Sequence, residues 1–251
     1  MKFYIITGTS RGIGEALATQ LLSESHHIFC ISRTINQELI DLATEKNNKL
    51  SYLPFDLNHL NRIEQLFEEI FKTIKHQSSQ VEAIYLINNA GMLSPVAPIE
   101  RNHADLIIEN VQINLLAPMI MTSNFIKRTQ EMNIDKRIMN ISSASAKYLL
   151  PSQSCYSTSK AGLDSFSKSV KLEQMNKAYP VRIVSVYPGM IDTQMQAEIR
   201  STDSDHFPHV EQFIQIAKEG KLQTPEYTAK KLIDILLDQQ FGQTALIEEL
   251  Q

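Results

Sequence analysis

Short runs of β-branched and aromatic residues alternate with amphipathic stretches almost to the end of this 251-residue chain, and that alternation restricts the fold more than any other feature. The strand candidates are Lys2–Thr7, His27–Ser32, Leu50–Phe55, Val81–Asn88, Arg137–Ile141, Val181–Tyr187 and a weaker Thr244–Ile247. Most are continuously apolar, as expected of strands buried on both faces. Between them, Ile13, Leu17 and Leu21 recur every four residues, and Leu60, Ile63, Leu66, Phe67, Ile70, Phe71 and Ile74 form a broad helical stripe. Thr224 and Pro225 read as the N-cap and first residue of a last helix, with Ala229, Leu232, Ile233, Leu236 and Leu237 on its inner face. The pattern predicts an α/β architecture, a doubly wound parallel sheet with helices on both faces.

No linker, charge block or repeat divides the chain, so residues 1–251 are expected to form one domain. Residues 190–220 have weaker periodicity and are expected to leave the sheet as a lid over substrate. The seven serines between Ser142 and Ser159, flanked by strand and helix patterns, read as a site-forming loop.

Composition narrows the class. With 24 basic against 28 acidic residues the net charge is −4, and no basic block invites nucleic acid or an anionic membrane as partner. No apolar run approaches the ~20 residues of a membrane span. The opening Met1-Lys2-Phe3-Tyr4-Ile5-Ile6 is too short for a signal-peptide core and lacks a small-residue cleavage site. Two cysteines, Cys30 and Cys155, make neither a disulfide framework nor a four-thiolate metal site, and no metal is expected. These features predict a soluble protein of a reducing, cytoplasmic compartment.

Three of only eight glycines lie within seven residues, in Thr7-Gly8-Thr9-Ser10-Arg11-Gly12-Ile13-Gly14. This stretch follows the first strand and opens the first helix. Backbone N–H groups there can approach a pyrophosphate, which also meets the positive end of the helix dipole. Gly8, Ser10, Arg11, Gly12, Ile13 and Gly14 are therefore candidate dinucleotide contacts; the alternative is a tight turn that needs glycine for its backbone angles. An NAD site normally has an acid about 20 residues further on, to bond the ribose 2′-hydroxyl. Here the second strand ends in Ser32-Arg33-Thr34 instead. Arg33, with Arg11, offers a charged donor fork to a 2′-phosphate, which predicts NADPH in preference to NADH.

Tyr156-Ser157-Thr158-Ser159-Lys160 begins the helix after the fifth strand, and its spacing of four puts phenol and ammonium on one face. In a chain with 8 tyrosines and 16 lysines, about half of one such pair arises by chance, and Tyr227 with Lys231 is a decoy of the same spacing. Context separates them: Tyr156 follows Ile141-Ser142-Ser143 at a strand's carboxyl end, where open parallel sheets bind ligands. A free phenol, at a pKa of about 10, is a sluggish acid at neutral pH. An ammonium ~4 Å away is worth ~4 kcal/mol at an effective dielectric of ~20, enough to bring the phenol down toward about 7. Ser143 can hydrogen-bond a substrate oxygen.

Taken together the residues resemble the short-chain dehydrogenase/reductase family, over the whole chain. The likeness rests on the Gly8–Gly14 turn, Asp56-Leu57 after the third strand, and Asn88-Asn89-Ala90-Gly91 after the fourth. Asn114, Ser143 thirteen residues before Tyr156, Lys160, and Pro188-Gly189 with Thr193 complete it. The resemblance implies a Rossmann fold and assigns roles. Tyr156 would be general acid/base, with Lys160 lowering its pKa and binding the nicotinamide ribose. Ser143 would orient the carbonyl and Asn114 hold a water in a proton relay. Asp56 and Leu57 would flank the adenine, Asn89, Ala90 and Gly91 line the cofactor, and Pro188, Gly189, Ile191 and Thr193 lie along its nicotinamide end, Thr193 meeting the carboxamide. Asp56 reads equally as a helix cap, and Asn114 as a helix-bending polar residue before Pro118.

Within that family, Tyr4-Ile5-Ile6-Thr7-Gly8-Thr9-Ser10, Ile113-Asn114-Leu115-Leu116-Ala117-Pro118-Met119 and Asp192-Thr193-Gln194-Met195-Gln196-Ala197 are similar to the benzil reductase branch, related to sepiapterin reductases. That implies reduction of a small ketone or α-diketone. Leu93, Tyr148, Leu149, Leu150, Met190 and Met195 are candidate apolar walls. Cys155 reads as a redox-sensitive thiol or a small packed residue. Two alternatives stand beside this reading. One is a 3-oxoacyl carrier-protein reductase, for which Arg101, Lys127 and Arg128 would supply a basic docking surface; the other is a non-catalytic NADP-sensing protein. Members of the family pair through long helices, so a homo-oligomer, dimer or tetramer, is expected from the stretches near Met119–Met132 and Tyr156–Ala178.

Overall fold

The computed structural model describes residues 1–77 and 81–250. Its strands are β1 (Lys2–Thr7), β2 (His26–Ser32), β3 (Lys49–Pro54), β4 (Ala83–Asn88), β5 (Asp135–Ile141), β6 (Arg182–Val186) and β7 (Leu246–Ile247). Its helices are α1 (Gly12–Leu21), α2 (Gln37–Glu45), α3 (Ile63–Gln77), α4 (Ala104–Val111), α5 (Ala117–Thr129), α6 (Ser154–Gln174), α7 (Gln194–Arg200), α8 (Val210–Lys218) and α9 (Pro225–Leu237). The strands form one parallel sheet in the order β3-β2-β1-β4-β5-β6-β7. The expected doubly wound sheet is therefore present, and each expected strand matches an observed one to within two residues at its ends.

The continuous apolar runs are explained by the pleat. Successive residues point to opposite faces. Phe3, Ile5, Phe29, Ile31, Ile84, Leu86 and Ile138 enter one core layer, with the α3 stripe and Met121 and Phe125 of α5. Tyr4, Ile6, Ile28, Cys30, Tyr85, Ile87 and Met139 enter the other, beneath α1 and α9. A strand covered on both sides has no face left for polar residues. At the last helix, Thr224 Oγ1 accepts from Tyr227 N (3.1 Å), as its N-cap position predicts. Ala229, Leu232 and Leu236 are buried, but Leu237 points outward, one residue beyond the inner stripe.

Two features differ from expectation. Helices α4 and α5 are joined through a π-helical stretch, Gln112–Leu116, into a run over Ala104–Thr129. By length and composition alone this run could cross a membrane; Asn110, Gln112 and Asn114 interrupt its apolar sequence, which hides it from a search for unbroken apolar runs. Its inner side packs against α3 and α6. Second, residues 190–220 leave the sheet as expected but carry two helices, α7 and α8. A parallel bridge between Ile191 and Gln223 closes this excursion at its base. A third apolar cluster, Leu93, Tyr156, Ile199, Phe207 and Val210, holds it against the start of α6.

The chain leaves β1 in one direction to β2 and β3 and later in the other to β4 and beyond, so a crevice opens between the carboxyl ends of β1 and β4. Leu17, fully buried between α1 and the sheet, should lose about 2–5 kcal/mol of unfolding free energy on Leu17→Ala. Leu237→Ala should change it by less than about 0.5 kcal/mol. Urea unfolding of both variants checks the placement of the two residues.

Candidate active site

The crevice is held in shape by a clasp between β1 and β4. Thr7 Oγ1 accepts from the N–H groups of Asn89 and Ala90 (3.0 Å each). Asn89 Nδ2 returns hydrogen bonds to the carbonyls of Thr7 (2.9 Å) and Gly8 (3.3 Å). Gly8 adopts φ +75°, and a Cβ there would meet Ala90 Cα at 2.9 Å. Gly14 is required for a different reason: its Cβ would lie 2.1 Å from the Gly8 carbonyl oxygen. The turn therefore packs glycine on glycine, as the spacing alone does not reveal.

Above the clasp lies a cleft of about 1150 Å³. Gly8, Ser10, Arg11, Gly12 and Ile13 line it; Gly14 sits behind the turn. No side chain caps the start of α1, so its first N–H groups remain available to an anion. Arg11 and Arg33 are exposed at the cleft, and among the described residues neither side chain has a hydrogen bond or ion pair. Asp56, Leu57, Asn89, Ala90 and Gly91 line the cleft, as do Pro188, Gly189, Ile191 and Thr193. Asp56 also caps locally, accepting from Asn58 N (2.9 Å), so both readings of that residue hold. An uncapped helix start, close-packed glycines and two unpaired guanidinium groups in one long cleft fit a dinucleotide.

Ser143, Tyr156 and Lys160 converge on the same cleft. Ser143 ends the β5 loop and its Oγ accepts from Ser145 N (3.1 Å), which fixes the serine at the start of a short 3-10 turn. Lys160 is 3% exposed, and its Nζ donates to the Ile141 carbonyl (2.7 Å) while lying 5.7 Å from the centre of the Tyr156 ring. Asn114 does not line the cleft. It is buried behind Gly91, its Oδ1 accepting from Met92 N (3.0 Å) and its Nδ2 donating to Met92 O (2.8 Å). It thus pins the cleft wall from behind.

The electrostatics differ from the simple expectation of an acidified phenol. Burial pushes the Tyr156 hydroxyl above its ordinary value, and hydrogen bonding with Ser143 only partly opposes that. The ammonium is occupied by a carbonyl, and burial brings Lys160 itself down to about 8, with Asp164 one turn along pulling it back up. The expectation treated the pair as charges in a uniform medium; desolvation is instead the largest influence on each group, and their lesser influences are Ser143 on the phenol and Asp164 on the ammonium.

Several residues here escaped the sequence. Asn110, four residues before Asn114, donates to the Ser94 carbonyl (2.7 Å) and accepts from Asn114 Nδ2 and Ser159 Oγ (3.0 Å each). The Asn-x-x-x-Asn spacing was the available signal. Asp164 is held by Ser185 (2.6 Å) and Tyr187 (2.7 Å), and Gln153 reaches the cleft from the start of α6. Of the expected apolar walls, Leu93, Tyr148, Leu150, Met190 and Met195 line the cleft, whereas Leu149 is 72% exposed and does not. Cys155 is buried and free. Tyr227, 49% exposed on α9, does not line the cleft, though its ring sits 5.8 Å from Lys231 Nζ.

The profile of the short chain dehydrogenase family matches residues 2–204. A benzil reductase ((S)-benzoin forming) of Bacillus cereus is 45% identical over 247 residues, 98% of each chain. The protein of the same description from Bacillus subtilis (strain 168) is 36% identical, over 94% of this chain and 93% of that one. Among solved structures, the KRED1-Pglu enzyme superposes with a TM-score of 0.82 at 22% identity, over 99% of this chain and 100% of that one, a likeness of fold.

The buried ammonium has a measurable signature. Lys160 titrates near 8 in the folded chain against an ordinary 10.5, so between those values the unfolded chain binds more protons. Stability from this group is therefore lowest below about pH 8 and rises as pH climbs through the window. Relative to Lys160→Met, the wild-type unfolding free energy should gain about 3 kcal/mol across it. Urea unfolding of both proteins at stepped pH checks this; parallel curves would place the ammonium in water.

Proposed function

We propose that this chain, which belongs to the short-chain dehydrogenase family, is a cytoplasmic carbonyl reductase that uses NADPH to reduce a ketone or a benzil-like α-diketone to the hydroxyketone. The observation that carries the reading is the meeting of Ser143, Tyr156 and Lys160 beside the glycine turn in one cleft. The similarity to benzil reductases over nearly the whole chain supports the substrate class.

The nicotinamide, when bound, supplies hydride to the carbonyl carbon. The protein does the rest. Ser143 donates a hydrogen bond to the carbonyl oxygen, and the Tyr156 hydroxyl gives its proton to that oxygen as negative charge develops. Burial raises the phenol, which keeps it protonated at neutral pH, the form a proton donor needs. Lys160, titrating near 8, is mostly cationic at pH 7 and stabilises the phenolate left behind. It would also hold the nicotinamide ribose from its place in the cleft lining. Asn114 supports this end by pinning Met92 beside Gly91, and a relay water is its further role.

Arg33 and Arg11 bind the 2′-phosphate. Neither has a side-chain partner among the described residues, and a planar donor fork suits phosphate. The remaining turn residues hold the pyrophosphate, Asp56 and Leu57 flank the adenine, Asn89 to Gly91 follow the cofactor, and Pro188, Gly189, Ile191 and Thr193 meet its nicotinamide end. Residues 190–220 act as the lid, consistent with the cluster joining Phe207 and Val210 to Tyr156. Exposed Leu172 and Met175, at and just past the end of α6, support a homo-oligomer built on that helix.

The acyl-carrier alternative has less support from its basic residues. Lys127 pairs with Glu64 (3.2 Å) and Arg128 with Glu68 (3.8 Å), and neither residue, nor Arg101, lines the cleft. The complete catalytic set weighs against a protein that only senses NADP.

Tyr156→Phe should lower benzil reduction by NADPH at least about 100-fold, the scale of a lost general acid, while leaving NADPH binding intact by fluorescence titration. Full activity in that variant would remove Tyr156 from the reaction. Arg33→Ala should lower the NADPH-to-NADH ratio of kcat/KM about 10- to 100-fold, as expected for a lost charge-assisted hydrogen bond. Initial rates with both cofactors measure it.

A further inference from the structure

Gln153 lies three residues before Tyr156, at the start of α6, and is 2% exposed while lining the cleft. Its Oε1 accepts from Ser145 Oγ at 3.4 Å, and Ser145 N in turn donates to Ser143 Oγ. The amide is thus oriented by the same short turn that fixes the carbonyl-orienting serine. Its Nε2 has no partner among the described residues. Nε2 is not enclosed by protein, so the donor opens onto the cleft that Gln153 lines, where a ligand oxygen can take it in place of water.

The surroundings say what that is. Leu93, Leu150, Met195 and Phe213 make this end of the cleft apolar, suited to aryl or alkyl groups. One carbonyl oxygen is served by Ser143 and Tyr156. A second oxygen on the adjacent carbon calls for another donor nearby, and Gln153, joined to the Ser143 turn through Ser145, lines the same cleft. Gln196, a second amide lining the cleft, makes no side-chain hydrogen bond among the described residues, so nothing orients it as Ser145 orients Gln153.

We infer that Gln153 is a specificity residue whose amide N–H binds the second, non-reacting oxygen of a vicinal dicarbonyl substrate, with Ser145 holding the amide in that orientation. This rests on the carbonyl-reductase reading for its substrate and extends it: the cleft selects two adjacent oxygens, not a lone ketone.

Benzil and deoxybenzoin test it, because they share both aryl groups and one carbonyl and differ in the second oxygen. Gln153→Met keeps length and removes the donor. The benzil-to-deoxybenzoin ratio of kcat/KM should fall about 10- to 100-fold in Gln153→Met and by less in Ser145→Ala, since a site built to bond a polar group discriminates by that contact. The affinity ratio of the two compounds for the protein–NADP⁺ complex, read by equilibrium binding, should fall in parallel. NADPH titration establishes that each variant is folded. An unchanged ratio in an active Gln153→Met enzyme overturns the inference. So does an equal loss on both compounds, which would make the amide a positioning group for Tyr156. A wild type that reduces neither compound, yet binds benzil more tightly through Gln153, sinks the reductase reading and leaves the second-oxygen contact standing.

Discussion

The clasp between the ends of β1 and β4 is the constraint on which the site depends. Thr7 and Asn89 exchange two hydrogen bonds across the strand ends, Ala90 N–H adds a third to Thr7 Oγ1, Asn89 Nδ2 reaches on to the Gly8 carbonyl, and Gly14 packs against that same carbonyl. This is the place where the winding of the sheet reverses, so backbone from the two halves would otherwise diverge. Holding them together aims the start of α1 into the crevice and sets the floor against which Gly91, Met92 and Asn114 form the next wall. A side chain larger than hydrogen at position 14 would separate those parts.

On that floor the chemistry depends on burial more than on pairwise attraction. Lys160 and Tyr156 are both withdrawn from water, so each moves toward its neutral form. The chain compensates with fixed dipoles and one carboxylate: the Ile141 carbonyl accepts from the ammonium, and Asp164, held by Ser185 and Tyr187, supports its charge from a turn away. The fold thus keeps a protonated phenol beside a buried ammonium, the pair that the proposed reaction uses as proton donor and charge support. Water admitted to this pocket would weaken both effects, which gives the apolar cluster of Leu93, Ile199, Phe207 and Val210 a role beyond packing.

Most of the architecture was legible in the chain because a parallel sheet covered on both faces demands unbroken apolar strands, and helices crossing it demand stripes at 3.6-residue spacing. The glycine turn, the two arginines, and the Ser143, Tyr156 and Lys160 positions could be read for the same reason, since local spacing dictates where they stand on their elements. What escaped were contacts between segments distant in sequence or across a bend. The π-helical stretch at Asn114 turns that amide toward Met92 and away from the cleft, Leu149 swings outward next to Leu150, and Gln153 has no motif to announce it.

The two Tyr-x-x-x-Lys pairs mark the boundary between these kinds of knowledge. Helical geometry determines that a lysine four residues on reaches over the tyrosine ring, and it does so equally at 156/160 and 227/231, at 5.7 and 5.8 Å. The sequence by itself therefore determined the pairs, the strands and the turn. Only the tertiary structure decided that one pair would be buried at a strand end within a cleft and the other left in water on α9. The reason is that ionisation depends on the surrounding dielectric and on partners brought in from other segments, and neither is a property of residue spacing.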